Sequence, residues 1–187
     1  MRDLLADIVG WVFSFFVWAF LLRLLMQLVR ADFRNPLAQA VVKLTNPAVL
    51  PLRRVLPPLG RVDTASVVAL LATQALEIVL EQLALRGAAP GALVLLVLTV
   101  FKLLGQAATF YLIAIFIWAV LSWVVPDGYS PAGRLLGDLV EPLMRPARRL
   151  APRLEGLDLS PLLVCVVLLV GIKLIDMVGA QVLLLVR

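Results

Sequence analysis

The chain contains no histidine among its 187 residues and only one cysteine, Cys165. The lack of histidine excludes histidine-ligated haem, the usual zinc sites and catalysis by an imidazole base. A lone cysteine forms no disulfide within the chain, and its place in an apolar run favours a packing role. Phosphate-cradling glycine loops and nucleophile elbows are also missing. We therefore predict a protein that is not an enzyme and that holds no cofactor and no metal.

Charged residues are also scarce, at 16%, whereas 63% of the residues are hydrophobic and the mean hydropathy is +1.04. Globular domains are usually near half apolar, so this excess predicts a membrane protein. The net charge is nevertheless +5. Because the basic residues fall mostly in two loops beside apolar runs, they favour anionic membrane lipid over nucleic acid as a partner.

Four apolar stretches are long enough to cross a bilayer, which takes about 20 helical residues. The predicted transmembrane helices lie at about residues 4–29, 67–85, 103–125 and 162–186. Residues just before 103 are expected to extend or tilt the third helix. The first stretch is too long for a signal peptide and no cleavage site follows it, so we expect it to be retained. The predicted fold is an all-α membrane protein.

A pattern of prolines, arginines and an aspartate, here called the signature, occurs twice at a constant offset of 95 residues. The first copy comprises Pro36, Pro47, Pro51, Arg53, Arg54, Pro57 and Asp63, and the second Pro131, Pro142, Pro146, Arg148, Arg149, Pro152 and Asp158. A match without gaps over such a run indicates a tandem duplication. We predict repeats at 1–90 and 91–187, each a helix, a loop and a helix. Two crossings per repeat give both copies the same orientation, about an axis near the membrane normal.

Lysine and arginine counts predict the orientation of the chain in the membrane. The loops 30–66 and 126–161 hold eleven basic residues together, and the opposite side holds three or four. Both signature loops should therefore face the cytoplasm, with both termini on the outer side of the membrane.

Each loop also contains an amphipathic segment that begins just after a signature proline, a residue favoured in the first turn of a helix. The apolar stripes are Leu37, Ala40, Val41 and Leu44 in the first loop, and Leu135, Leu136, Leu139 and Val140 in the second. We expect short helices lying in the headgroup layer. A second short helix is expected after Pro51 and after Pro146, ended by Pro57 and Pro152.

The two arginine pairs of the signature, Arg53–Arg54 and Arg148–Arg149, have two interpretations of equal weight. They could simply hold the loops in the cytoplasm, or their guanidinium groups could bind lipid phosphate or a protein partner. Asp63 and Asp158 open the helices that follow. Each could cap its helix or pair with the nearby arginines, and a structural role is favoured.

Charges inside the spans are costly and usually paired or functional. Glu77 and Lys173 are expected at matching depths, about 15 and 17 Å into their helices, so they could form a buried ion pair that fixes packing. The alternative is a polar path for ions or protons. Arg23 lies near the inner end of its span and is expected to snorkel to the interface.

The residues Asn35-Pro36, Thr45-Asn46-Pro47 and the Pro-x-Arg-Arg-x2-Pro run resemble the YggT family, also called YlmG. The resemblance covers nearly the whole chain, and the second copy departs only mildly, with Ser130 and Glu141 in place of asparagines. It implies a small bacterial or plastid membrane protein with this duplicated unit and no established enzymatic activity.

The resemblance also implies links to osmotic stress tolerance and to cell division in bacteria. In plastids it implies links to nucleoid distribution and to haem attachment. The leading hypothesis is a protein that organises or assembles membrane partners through its signature loops, and it could form homo-oligomers. The alternative is an oligomeric transport or channel component that uses Glu77 and Lys173.

Overall fold

The computed structural model describes residues 2–58, 62–124, 130–150, 153–154 and 157–186. In that part of the chain, six helices and a small hairpin follow one another. They are α1 (Arg2–Val29), α2 (Pro36–Arg53), α3 (Thr64–Arg86), α4 (Ala92–Val124), α5 (Pro131–Leu150), β1 (Arg153–Leu154), β2 (Leu157–Asp158) and α6 (Ser160–Val186). Helices α1, α3, α4 and α6 are long and apolar enough to cross a membrane, which confirms the four predicted spans.

Helix α4 differs most from its predicted range. It begins at Ala92, so the expected extension ahead of residue 103 is helical, because residues 92–101 are apolar apart from Thr99 and contain no proline or glycine. The predicted end at 125 lies outside the described residues. The preceding helix, α3, ends at Gly87, whose φ of 72° lies in the left-handed region and whose N–H donates to the Leu83 carbonyl.

The signature loops each hold one long helix, not the two short helices predicted. Helix α2 runs through Pro47 and Pro51, and α5 runs through Pro142 and Pro146. All four prolines lie on exposed faces. The carbonyl that each proline leaves unbonded belongs to the residue four positions earlier, on the same face of the helix. The missing bonds therefore fall on the outside of the bundle. Pro57 follows α2 by four residues, and Pro152 lies outside the described residues.

The two apolar stripes have different surroundings. In α5, Leu135, Leu139 and Val140 are buried against the bundle. In α2, the buried face is instead Ala38, Thr45 and Val49. Leu37 and Leu44 of the predicted stripe are exposed, so α2 has an apolar face directed away from the bundle.

The helices pack in the same way in each half of the chain. In the first half, α1 packs along α3, and α2 packs on both; in the second half, α4, α6 and α5 do the same. Each half has its own apolar core, and Leu135 and Leu139 of α5 also enter the core of the first half. Helices α2 and α5 contact each other at one end of the bundle, here called the Pro–Arg end.

Candidate functional site at the Pro–Arg end

The first arginine of each signature pair contacts the signature aspartate. Arg53 donates to the Asp63 carboxylate from Nε at 3.1 Å and from Nη2 at 2.6 Å. The matching atoms in the second copy, Arg148 Nε and Asp158 Oδ2, lie 3.6 Å apart. Because both pairs connect the end of an amphipathic helix to the start of a span, they hold the loops against the bundle.

Asp63 occupies the N-cap position of α3, but its carboxylate makes no capping hydrogen bond to that helix. It accepts instead from Arg53 and from the Ser66 hydroxyl, at 2.6 Å. Burial raises the pKa of Asp63, but these hydrogen bonds outweigh burial, and the pKa lies below its ordinary value of 3.8. Asp158 does accept from a backbone N–H, that of Ser160, at 2.9 Å. Capping is therefore wrong for Asp63, and Asp158 both caps and pairs.

The second arginine of each pair is in a different state. Arg54 and Arg149 are exposed, and the guanidinium group of neither forms a hydrogen bond or ion pair with any described residue. Each is followed by an exposed aliphatic side chain, Val55 at 79% and Leu150 at 78%. These two arginine–aliphatic pairs occupy equivalent positions of the two copies. Each pair of signature arginines is thus divided into one residue that holds the structure and one that is available for binding.

Arg23 is buried rather than directed to the interface as predicted. It is 2% exposed, and its Nη1 donates to Thr45 Oγ1 at 2.6 Å and to Asn46 Oδ1 at 3.0 Å. Thr45 and Asn46 belong to the stretch that carried the family resemblance. Their side chains accept hydrogen bonds from a charge that would otherwise be buried without compensation, and so dock α2 on α1.

The second half uses other residues at the corresponding positions. Trp118 stands 95 residues after Arg23, and the Arg148 guanidinium lies 5.8 Å from the centre of its ring. Glu141 stands 95 residues after Asn46, and it pairs with Arg148 and Arg145, each at 3.1 Å. The buried cation of the span is thus replaced by a tryptophan and its asparagine acceptor by an acid, and both contact the signature arginine itself.

Asn35 joins the two amphipathic helices where they begin. Its Oδ1 accepts from the Leu37 N–H at 2.9 Å, which caps α2. Its Nδ2 donates to the carbonyl of Pro131, the first residue of α5, at 2.6 Å. A cleft of about 380 Å³ lies beside this bridge. Two arginines and two aspartates line it, Arg34, Arg134, Asp32 and Asp138, so its charges balance.

The predicted Glu77–Lys173 pair is wrong, because Glu77 binds Lys102 of α4 instead. The Lys102 ammonium lies 3.3 Å from Glu77 and 3.2 Å from Glu81. Ser14 and Gln74 also donate to Glu77, at 2.8 and 2.7 Å. The 1% exposed carboxylate therefore accepts two hydrogen bonds, from α1 and α3, and forms an ion pair with α4.

Lys173 lies on α6, which packs against α4 and α5, whereas α3 packs against α1, α2 and α4. Its side chain is exposed and forms no ion pair with the described residues. The prediction had paired Glu77 with Lys173 because the two lie at similar depths along their helices. It had no information on which helices are neighbours, and Lys102 lies at a similar level on the helix that follows α3 in the chain.

Comparisons with known proteins agree with the resemblance found in the residues. The family model of CCB3/YggT matches twice, at residues 3–84 and 97–178. An uncharacterized Pseudomonas aeruginosa protein is 40% identical over 165 residues, which is 88% of this chain and 82% of that protein. Escherichia coli YggT, also named as uncharacterized, is 37% identical over 85% of this chain and 82% of its own length. A Vibrio alginolyticus protein from the proC 3′ region is 35% identical over 89% and 88%. No solved structure matches the chain.

Proposed function

The chain belongs to the CCB3/YggT family, and on that premise we propose a non-enzymatic protein of the bacterial inner membrane that organises membrane partners through its Pro–Arg end. The contact is made by Arg54 with Val55 and by Arg149 with Leu150. The observation that carries the proposal is the free, exposed state of these two arginines beside their bonded neighbours. If the arginines served only to hold the loops in the cytoplasm, their positive charge would suffice, and one arginine of each pair would not need to be bonded and the other free.

The chemistry of the two arginine–aliphatic pairs favours the surface of an anionic bilayer. A guanidinium binds a phosphate through two hydrogen bonds, and each basic group near an anionic leaflet contributes about 1 kcal/mol. An exposed valine or leucine beside it can enter the boundary between headgroups and acyl chains. The exposed Leu37 and Leu44 of α2 extend the apolar surface at this end. The predicted cytoplasmic placement of the loops would bring all these groups to the anionic inner leaflet.

The test compares two variants that lose the same charge from the same end. In R54Q/R149Q the proposed contacts are removed, and in the control R30Q/R34Q two other exposed arginines are removed. Phosphatidylglycerol and cardiolipin retained by the protein after mild detergent extraction are counted per chain. We expect the first variant to lose affinity for these lipids by about tenfold or more and the control to lose much less. Equal losses in the two variants would show that Arg54 and Arg149 contribute only positive charge and form no specific site. No loss in R54Q/R149Q would show that lipid is not the ligand.

Crosslinking from this surface to neighbouring proteins is measured on the same variants. If R54Q/R149Q keeps its bound lipid but loses a crosslink that the wild type and the control form, the ligand of this surface is a protein partner instead. The organising role itself is tested in cells, by the distribution of tagged protein and by growth at high osmolarity. Unchanged behaviour of R54Q/R149Q in both assays would contradict the role. A transport role gains no support, because Glu77 and Lys173 do not come together.

A further inference from the structure

Helix α6 places charge in the middle of a membrane span on the side that faces away from the bundle. Lys173 is the central residue of Ser160–Val186, about 20 Å from either end. Asp176 follows one turn later, and both side chains are exposed. With a hydrocarbon core of about 30 Å, Lys173 is too deep to reach either headgroup layer. A lone chain would therefore expose both charges to lipid, which is strongly unfavourable.

Six of the exposed residues of α6, Lys173 and Asp176 among them, follow a heptad pattern along one edge of its outward side. Their spacing alternates between four and three residues along one side of α6, as in the seam between two helices of a left-handed coiled coil. The stripe comprises Leu162, Val166, Leu169, Lys173, Asp176 and Ala180, all exposed. The opposite side of α6 packs on the bundle through Val164 and Gly179. The stripe is therefore a helix face without a partner in the described chain.

The charges identify the occupant of this face. A surface that carries both signs is complementary to its own copy when a two-fold axis relates the two. Two copies inserted in the same direction place their α6 helices in parallel. In such a pair, the side chain at the Lys173 position packs into a hole that includes Asp176 of the second copy. Two reciprocal ion pairs then leave no net charge at the centre of the interface.

We propose that α6 is the interface of a homodimer in the membrane, in which Lys173 of each copy pairs with Asp176 of the other. The other spans offer no comparable surface. In the described chain, the charged side chains of the other spans away from their first and last turns are Arg23, Glu77, Glu81 and Lys102, and each is bonded within its own bundle. The interface lies away from Arg54 and Arg149, so it is independent of the proposed lipid contact.

The first test is disulfide crosslinking in native membranes of the full chain carrying Cys165→Ser, which removes the natural cysteine. Single cysteines are introduced on the stripe at Leu169 or Ala180, and as controls at the exposed off-stripe positions Val167 and Val178. We expect crosslinks between two differently tagged copies at the stripe positions and at least tenfold less at the controls. Equal crosslinking at all positions, no crosslinking, or crosslinks only to another protein would overturn the proposal.

The second test separates charge pairing from simple proximity. Lys173→Asp places only acids at the interface, and we expect at least a tenfold loss of the crosslink at Ala180→Cys. Lys173→Asp with Asp176→Lys restores opposite charges in exchanged positions, and we expect most of the crosslink to return. A crosslink that is indifferent to both changes would contradict the ion pairs. Because the stripe cysteines leave the charges intact, the first test does not depend on whether the single variant inserts.

Discussion

At the scale of single residues, the ion pair of Glu77 with Lys102 is a buried polar contact between the two halves of the chain. The Glu77 carboxylate is 1% exposed and accepts hydrogen bonds from Ser14 and Gln74, while Lys102 supplies the opposite charge. Removing one partner of a buried ion pair leaves the other uncompensated. Loss of Lys102 alone should therefore cost more than loss of both, because the buried Glu77 carboxylate would keep its charge without a counter-ion, whereas Lys102 without Glu77 still pairs with Glu81.

A double-mutant cycle tests this assignment. We expect Glu77→Gln and Lys102→Met to be coupled by about 1–3 kcal/mol of unfolding free energy, because they share an ion pair. The matched cycle of Glu77→Gln with Lys173→Met should show additivity within about 0.5 kcal/mol. Unfolding in mixed micelles of detergent and denaturing detergent gives the free energies. Coupling to Lys173 rather than Lys102 would show that the arrangement of the spans is wrong.

The candidate site also shows how far residue types can be interpreted from sequence. The pattern in the sequence identified all four signature arginines and both aspartates, and it included pairing among the possible roles. It could not predict which of Arg53 and Arg54 is bonded and which is free. Adjacent residues of a helix point in different directions, and only the packing of the helices decides which of them meets Asp63. Arg23 was missed as a site residue for a similar reason. Its acceptors, Thr45 and Asn46, follow it by 22 and 23 residues in the sequence, and they contact it only because α2 folds back on α1.

At the scale of helices, the close contact between α4 and α6 depends on one glycine. A Cβ atom built on Gly179 would lie 3.0 Å from the Phe101 ring, whereas one built on Gly171 would meet nothing within 4 Å. Small residues at membrane helix contacts let the backbones approach closely. The two glycines therefore offer matched sites on one helix.

We expect Gly179→Ala to destabilise the protein by about 1–3 kcal/mol, as overpacked sites do. Gly171→Ala should stabilise it by about 0.5–1 kcal/mol, because alanine is the better helix former and the space is open. Thermal unfolding of the two variants in detergent measures both effects. A Gly179→Ala variant as stable as Gly171→Ala would mean that Phe101 moves aside freely.

Helix boundaries were the part of the fold that the sequence predicted least well. Apolar length alone indicated the four spans, because no soluble core needs helices so long. The expected extension of α4 ahead of residue 103 reaches back to Ala92, and the predicted division of each amphipathic segment into two short helices was wrong. Proline usually ends helices in water, and the rule failed here because the prolines face outward and their unbonded carbonyls are not buried.

At the scale of the whole molecule, Asn35 is the polar link between the two amphipathic helices. It both caps α2 and bridges to Pro131 of α5. The corresponding residue of the second copy, Ser130, accepts from the Gly133 N–H at 3.0 Å and so keeps the cap alone. Replacing Asn35 by serine, the residue at the equivalent position of the second copy, therefore separates its two functions.

We expect Asn35→Ser to retain the cap and lose the bridge, at a cost of about 1 kcal/mol in unfolding free energy. Asn35→Ala should lose both and cost about 1 kcal/mol more. Equal stability of the wild type and Asn35→Ser would show that the bridge contributes nothing. The duplicated arrangement about the membrane normal stays a prediction, and the similar packing within each half is consistent with it.

The length of α4 has a consequence for the membrane around the protein. Its apolar segment, Ala92–Leu121, has 30 residues, or about 45 Å, against a hydrocarbon core of about 30 Å. Tilt alone would have to reach about 48° to bury it, beyond the usual range of about 0–40°. Tilt therefore has to be combined with a kink in the helix or with local thickening of the lipid, at a modest cost per ångström of mismatch. Thinning of the bilayer raises that cost, so the free energy of the folded protein depends on the thickness of the membrane.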